Sequence, residues 1–329
     1  MASLNPSWTK LALVFPGQGS QSVGMGSKIS KVSRRAREVF KRADEVLEQH
    51  ISRLCYTGSE EDLQRTINQQ PATFVTSIAW LEALRERWSV LDKKLTSVAI
   101  AGHSMGEFTA AVATGAITFE EGLLLVQERA RLMDEAGREN PGGMASIIGL
   151  QEEHILEICS KSSDQGYVGI ATQNCEGHTV ISGDLPSLHK AMDLAQESGA
   201  RTVITLPISI ASHSPLMEKA SISMKTLLKQ TPLKNPSTPL IGNVNGDVLR
   251  SKEDVYIELR DQLTESVRWE QCVQQIGKME ADMVFEVGPG SVLTKLARRI
   301  DKTQKVISLS DPQNGLLGEN FAVVEESAR

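Results

Sequence analysis

The chain lacks the marks of several large protein classes. Its 329 residues hold only four cysteines, Cys55, Cys159, Cys175 and Cys272, with no C-x-x-C or metal-ligand spacing. They read as reduced thiols, so no disulfide framework and no metal site are expected. No apolar run approaches the roughly 18 residues that span a bilayer, and no membrane partner is expected. The opening MASLNPSWTK has neither a basic n-region nor an apolar core, so a cytoplasmic location is expected rather than secretion. An excess of positive charge is missing too. The formal net charge of −6 leaves no global field to neutralise phosphates, which argues against nucleic acid as a partner. Internal repeats and low-complexity stretches are absent. What is there is an ordinary globular composition, 40% hydrophobic and 23% charged, long enough for one large or two medium domains.

Strand-like and helix-like segments alternate along the chain, which indicates an α/β architecture. A short apolar strand at 11–15 ends in Pro16-Gly17-Gln18-Gly19-Ser20-Gln21. Helical patterns follow at 32–49, 60–67 and 71–88, then a strand at 98–101 and helices at 107–114 and 119–136. After Asn140-Pro141-Gly142-Gly143 the order becomes β-α-β-β-α-β, with strands at 144–150, 168–175, 178–183 and 201–206 and helices at 152–161 and 186–198. That is the ferredoxin-like unit. The expected organisation is a discontinuous large domain, 8–140 and 207–310, carrying a parallel sheet. A small subdomain, 141–206, is inserted in it, and 311–329 form a loosely ordered tail. The large domain resumes with strands at 239–244, 283–287 and 305–309 and helices at 253–263, 269–279 and 291–299.

The most informative residues are Gly102-His103-Ser104-Met105-Gly106, between the apolar run 98–101 and a helix-forming stretch. A serine at a strand-to-helix turn with glycine on both sides is a nucleophile elbow. The turn puts the backbone N–H of Met105 beside the serine oxygen at a helix N-terminus, where negative charge is favoured.

Serine needs a base, and histidine is the usual one. Of six histidines, His103 adjoins the serine and should point away from it. His50 ends a polar helix, and His154, His178 and His189 fall in the inserted unit. His213, in a loop where the large domain resumes, remains as the candidate base. Arg129 is the notable charge. Its helix carries an apolar stripe of Phe119, Val126, Ala130 and Met133, and Arg129 lies on that stripe's flank. An inward arginine needs a partner: either a structural contact or, as a fork of two donors, a substrate carboxylate. The glycine-rich turn 17–21 is no phosphate loop, because Ser22 and Met25 stand where a dinucleotide fingerprint needs glycine and a Walker loop needs lysine. Its backbone N–H groups remain available as oxyanion donors.

Together, Phe15-Pro16-Gly17-Gln18-Gly19-Ser20-Gln21, Gly102-His103-Ser104-Met105-Gly106-Glu107, Gln127-Glu128-Arg129-Ala130, Ser212-His213-Ser214 and Glu286-Val287-Gly288-Pro289-Gly290 resemble the malonyl-CoA:acyl-carrier-protein transacylases, and also the acyltransferase domains of polyketide synthases. The resemblance runs from about residue 10 to 309. It implies an α/β-hydrolase-like large domain and malonyl transfer from malonyl-CoA to an acyl carrier protein, for fatty acid or polyketide synthesis. Ser104 would be the acylated nucleophile and His213 its base. The N–H groups of Gln18 and Met105 would form the oxyanion hole, and Arg129 would pair with the malonyl carboxylate. Asn174 would line the pantetheine channel, with His103, Ser212 and Arg268 also placed at the substrate site. His213 would be oriented by main-chain carbonyls near Val267-Arg268-Trp269 rather than by an acid. No cofactor beyond the carrier's phosphopantetheine, and a monomeric state, are expected.

Ser212 departs from the phenylalanine that many malonyl-selective members carry, so methylmalonyl-CoA stays open as an alternative donor. A serine esterase is the rival from another class; its triad acid would be Asp134, Asp184 or Asp193. Carrier proteins are usually acidic, and the stretch Lys28, Lys31, Arg34, Arg35, Arg37, Lys41 and Arg42 is the candidate docking surface, or else a solvated helix face.

Overall fold

A computed structural model of the protein describes residues 10–310 apart from 91 and 93. The proposed tail 311–329 and the first residues of the large domain lie outside the described residues. The strands are β1 Leu11–Phe15, β2 Ala99–Gly102, β3 Gly142–Ile148, β4 Val168–Cys175, β5 His178–Asp184, β6 Thr202–Thr205, β7 Leu240–Ile241, β8 Val248–Leu249, β9 Met283–Glu286 and β10 Val306–Ser308.

Two sheets result. The larger has the order β10-β9-β1-β2-β7-β8. All its neighbours are parallel except the terminal β7–β8 hairpin. Its central strands are buried along their whole length because helices cover both faces. Leu13, Phe15 and Phe285 point to one core, and Ala12, Val14 and Val284 to the other. The mixed α/β fold with a parallel sheet is as expected.

The smaller sheet, order β4-β5-β3-β6, is antiparallel throughout and has helices Glu152–Ser162 and Leu185–Glu197 between its strands, the ferredoxin-like order. Ala145, Ile147, Ile170 and Ile181 face those helices. Met144, Ser146, Thr172, Asn174 and Val180 face the other way, towards the large unit. The segment before Trp269 joins the two sheets: Gln173 N–H donates to the Val267 carbonyl at 2.8 Å, and Val267 N–H to that of Ala171 at 2.9 Å.

Several boundaries differ from the sequence pattern. The helix expected at 32–49 is two, Ser27–Val32 and Arg34–Leu47. They are divided at Ser33, whose extended backbone lets its side chain cap the second through Ala36 N–H. The helix expected from Pro71 begins at Thr66, with the proline inside it. A helix at Glu218–Gln230 and the short strand β8 were not expected.

Candidate active site

The elbow takes shape where β1 and β2 run parallel beneath it. A Cβ on Gly102 would sit 2.0 Å from the Gly106 carbonyl carbon, and one on Gly106 would sit 2.3 Å from the Phe15 carbonyl oxygen. Both positions therefore admit only glycine, for reasons of contact. The strained residue is Ser104 itself, at φ 52°, in the left-handed region that side chains rarely enter. Asn243 holds it there: its Oδ1 accepts from Ser104 N–H at 2.7 Å, and its Nδ2 donates to the Gly102 carbonyl at 2.7 Å.

His213 also adopts a left-handed backbone, φ 58°, and is buried. Its Nε2 lies 2.7 Å from Ser104 Oγ. Its Nδ1 lies 2.8 Å from the carbonyl of Gln262 and 3.1 Å from that of Glu265. Two carbonyls can only accept, so Nδ1 carries the proton and Nε2 presents its lone pair to the serine hydroxyl. Burial, then the Arg129 charge, push the imidazole down to about 3, which keeps it neutral. The orienting carbonyls thus come from residues 262 and 265, earlier than the expected 267–269. Val267 and Arg268 spend their backbone groups on joining the sheets and capping helix Trp269–Lys278, with Arg268 N–H donating to the Asn243 carbonyl at 2.8 Å.

The three candidate triad acids are elsewhere. Asp134 pairs with Arg138, Asp184 caps helix Leu185–Glu197, and Asp193 belongs to that same helix of the small unit.

Arg129 is 1% exposed and points to the nucleophile. Nη1 donates to Gln70 Oε1 at 2.7 Å; Nη2 donates to Gln262 Oε1 at 2.9 Å and reaches Ser104 Oγ at 3.2 Å. Nε is buried with no hydrogen-bond partner. Among the described residues no carboxylate touches the guanidinium, and burial lowers it to about 10, still protonated at neutral pH. Gln70 and Gln262 went unrecognised in the sequence. The only signal was Gln70 beside a proline and Gln262 in an otherwise unremarked helix end.

A cleft of about 520 Å³ opens above Ser104. Gln18 and the rest of the loop 17–21 form one wall, with Leu293 and Leu296 beyond it. Ser146, Thr172, Asn174 and His178 of the small sheet form the opposite wall, and Ser212, His213 and Met133 close the floor. Among the described residues neither Gln18 N–H nor Met105 N–H donates a hydrogen bond. His103 faces this cleft: its Nε2 is 3.2 Å from Asn174 Oδ1, and its ring tilts against Trp269 with centroids 5.3 Å apart. Burial holds it neutral, at about 4. Arg268, expected at the substrate site, does not line the cleft. The cap at the far end is built by Glu286, whose carboxylate accepts from Leu293 and Thr294 N–H at 3.0 and 2.8 Å and fixes the helix that carries the cleft's apolar wall.

Comparison with known proteins agrees with this geometry. The chain is 37% identical to the malonyl CoA-acyl carrier protein transacylase of Bacillus subtilis over 306 residues, 93% of this chain and 95% of that one. It is 33% identical to that of Escherichia coli K12, covering 92% and 97%. The solved transacylase of Coxiella burnetii superposes with a TM-score of 0.88 at 32% identity, covering 92% and 94%. A malonyl-transacylase solved in complex with a type II PKS acyl-carrier protein superposes with a TM-score of 0.88 at 33% identity, covering 93% and 97%. Residues 12–311 match the acyl transferase domain model, and the chain belongs to that acyltransferase family.

Proposed function

We propose that the protein transfers a malonyl group from malonyl-CoA to the phosphopantetheine thiol of an acyl carrier protein through an acyl-serine. The observation that carries this reading is Arg129, a buried cation with an unpartnered Nε and with Nη2 3.2 Å from the nucleophile. An uncharged acyl group gives that arginine nothing to bind. A terminal carboxylate gives the free Nε, and the Nη2 that faces Ser104, an anionic acceptor.

In the first half-reaction His213 Nε2 takes the Ser104 proton as Oγ attacks the thioester carbonyl. The N–H groups of Met105 and Gln18 receive the oxyanion. Losing one such donor typically costs about 10²–10³ in rate. The C–S bond then breaks and the CoA sulfur leaves with the proton from His213. In the second half the carrier thiol gives its proton to His213, attacks the acyl-serine, and Ser104 recovers its hydrogen. The polar wall of Asn174, Ser146, Thr172 and His178 suits the amides of a pantetheine arm. Every step uses groups of one chain, so the reading needs no metal, no soluble cofactor and no second copy. Among the described residues no helix is long and apolar enough to cross a membrane.

A second donor, methylmalonyl-CoA, is favoured by one observation: Ser212, against the cleft floor, is small. An esterase is not, because His213 is held by carbonyls and Arg129 would lack a purpose. Intact-mass analysis after mixing with malonyl-CoA tests the proposal. A malonyl adduct on Ser104 that persists alone and discharges when holo-carrier protein is added is the expected result. Rapid release of free malonate without carrier would overturn it.

A further inference from the structure

Behind the nucleophile, on the side away from the cleft, two acidic side chains meet in the core. Glu107 follows the elbow on helix Gly106–Ala113 and is 1% exposed; Glu258 lies on helix Lys252–Asp261 and is 7% exposed. Their carboxyls are hydrogen-bonded to each other. Glu107 Oε1 accepts from Asn243 N–H at 2.7 Å, and Oε2 accepts from Gln262 Nε2. Glu258 Oε1 accepts from Val244 N–H at 2.8 Å. The Glu258 carboxyl packs flush on Gly242, where a Cβ would come within 2.5 Å of its Oε2. The mechanism uses neither acid.

Gln262 connects this pair to the reaction. Its Nε2 donates to Glu107 and to the Ser104 carbonyl, the latter at 2.8 Å. Its Oε1 is thereby aimed at Arg129, and its own carbonyl holds His213. We propose that Glu107 and Glu258 are positioning residues that act together: they fix which end of the Gln262 amide faces Arg129 and so preset the guanidinium for an anionic acyl group. The inference rests on the carboxylate reading of Arg129.

Burial pushes both acids up; the Glu258 charge raises Glu107 further, whereas the hydrogen bond from Glu107 holds Glu258 lower. Glu107 also supports the protonation of Arg129. The other ionisable groups facing the pair are Cys272, which burial keeps as a thiol, and Asp261 beside Glu258.

The test is kinetic. In E107Q the new amide must turn an N–H towards either Asn243 N–H or Gln262 Nε2. Gln262 relieves the clash by flipping, which points its own N–H groups at Arg129. E258A removes the side-chain partner of Glu107, whereas E258Q keeps an acceptor there. E107Q and E258A are expected to raise the KM for malonyl-CoA about tenfold, the usual weight of one charge-assisted hydrogen bond. kcat should change less, and the KM for acetyl-CoA should stay within about twofold. E258Q should restore the malonyl KM lost in E258A. Equal effects on both donors, or E258Q no better than E258A, would overturn the proposal. If E107Q does not fold in a thermal melt, the E258A and E258Q contrast still decides. R129A separates the layers: retained malonyl preference there removes the carboxylate clamp itself, whereas lost preference with silent pair variants removes only the role of the pair.

Discussion

Arg129 Nη2 lies 3.2 Å from Ser104 Oγ, the same oxygen that faces His213 Nε2 at 2.7 Å. The serine hydroxyl donates to the imidazole and accepts from the guanidinium. The cation therefore does two things at once: it marks where an acyl carboxylate must sit, and it biases the serine oxygen towards its deprotonated form.

Arg129→Ala removes both donors to that carboxylate. Two charge-assisted hydrogen bonds, each about 1.5–3 kcal/mol, set a loss in kcat/KM for malonyl-CoA of at least about 10²-fold. Transfer from acetyl-CoA should fall far less. Steady-state kinetics with the two donors checks the split.

The pH profile follows from His213. A free imidazole gains its proton near pH 6.5, and only the neutral form is a base. Because His213 is held at about 3, kcat/KM should stay flat as pH falls through 6.5. Arg129 contributes to that depression, and a bound malonyl carboxylate offsets its charge. The acid limb of kcat, which reports the loaded enzyme, should therefore lie at higher pH than the limb of kcat/KM, which reports the free enzyme. In stopped-time assays from pH 4 to 8 with malonyl-CoA, kcat should begin to fall at the acid end while kcat/KM stays level; a joint fall would contradict the order.

Ser212→Phe fills the space beside the catalytic histidine. Discrimination by one methylene-sized contact is worth about 1–3 kcal/mol, so methylmalonyl transfer should drop roughly 10- to 100-fold relative to malonyl transfer. A competition assay with both donors reads the ratio directly.

The basic stretch before residue 43 is not one free face. Arg37 donates to the carbonyls of Ser30 and Lys31, Arg42 pairs with Glu120, and Arg35 is half-buried in a cavity with Arg85 and Lys94. Lys28, Lys31, Arg34 and Lys41 remain exposed. Charge reversal at Lys31 and Arg34 should raise the KM for carrier protein several-fold and leave that for malonyl-CoA unchanged, since exposed charges act mainly on encounter. Equal effects on both would reject docking there.

The parts of the molecule written in local pattern were legible. Glycines around Ser104, the β-α-β-β-α-β order and the inward Arg129 all follow from spacing and period. What escaped were long-range partners with no pattern of their own. Gln70 reaches Arg129 across 59 positions and Asn243 reaches Ser104 across 139. The polar wall was hidden for another reason. β4 has an irregularity between Ile170 and Thr172, so Ile170 faces the small unit's own core while Thr172 faces the cleft. Strict alternation places those two on the same side.

Among the described residues, the left-handed backbone that Ser104 and His213 share with Glu48, Asp92 and Glu280 puts both reacting residues under strain. Glycine tolerates such torsions freely, and a non-glycine residue there costs on the order of 1 kcal/mol or more. An inert Ser104→Gly protein is accordingly expected to melt later than the active one, so thermostability selected without an activity screen would erase the nucleophile first.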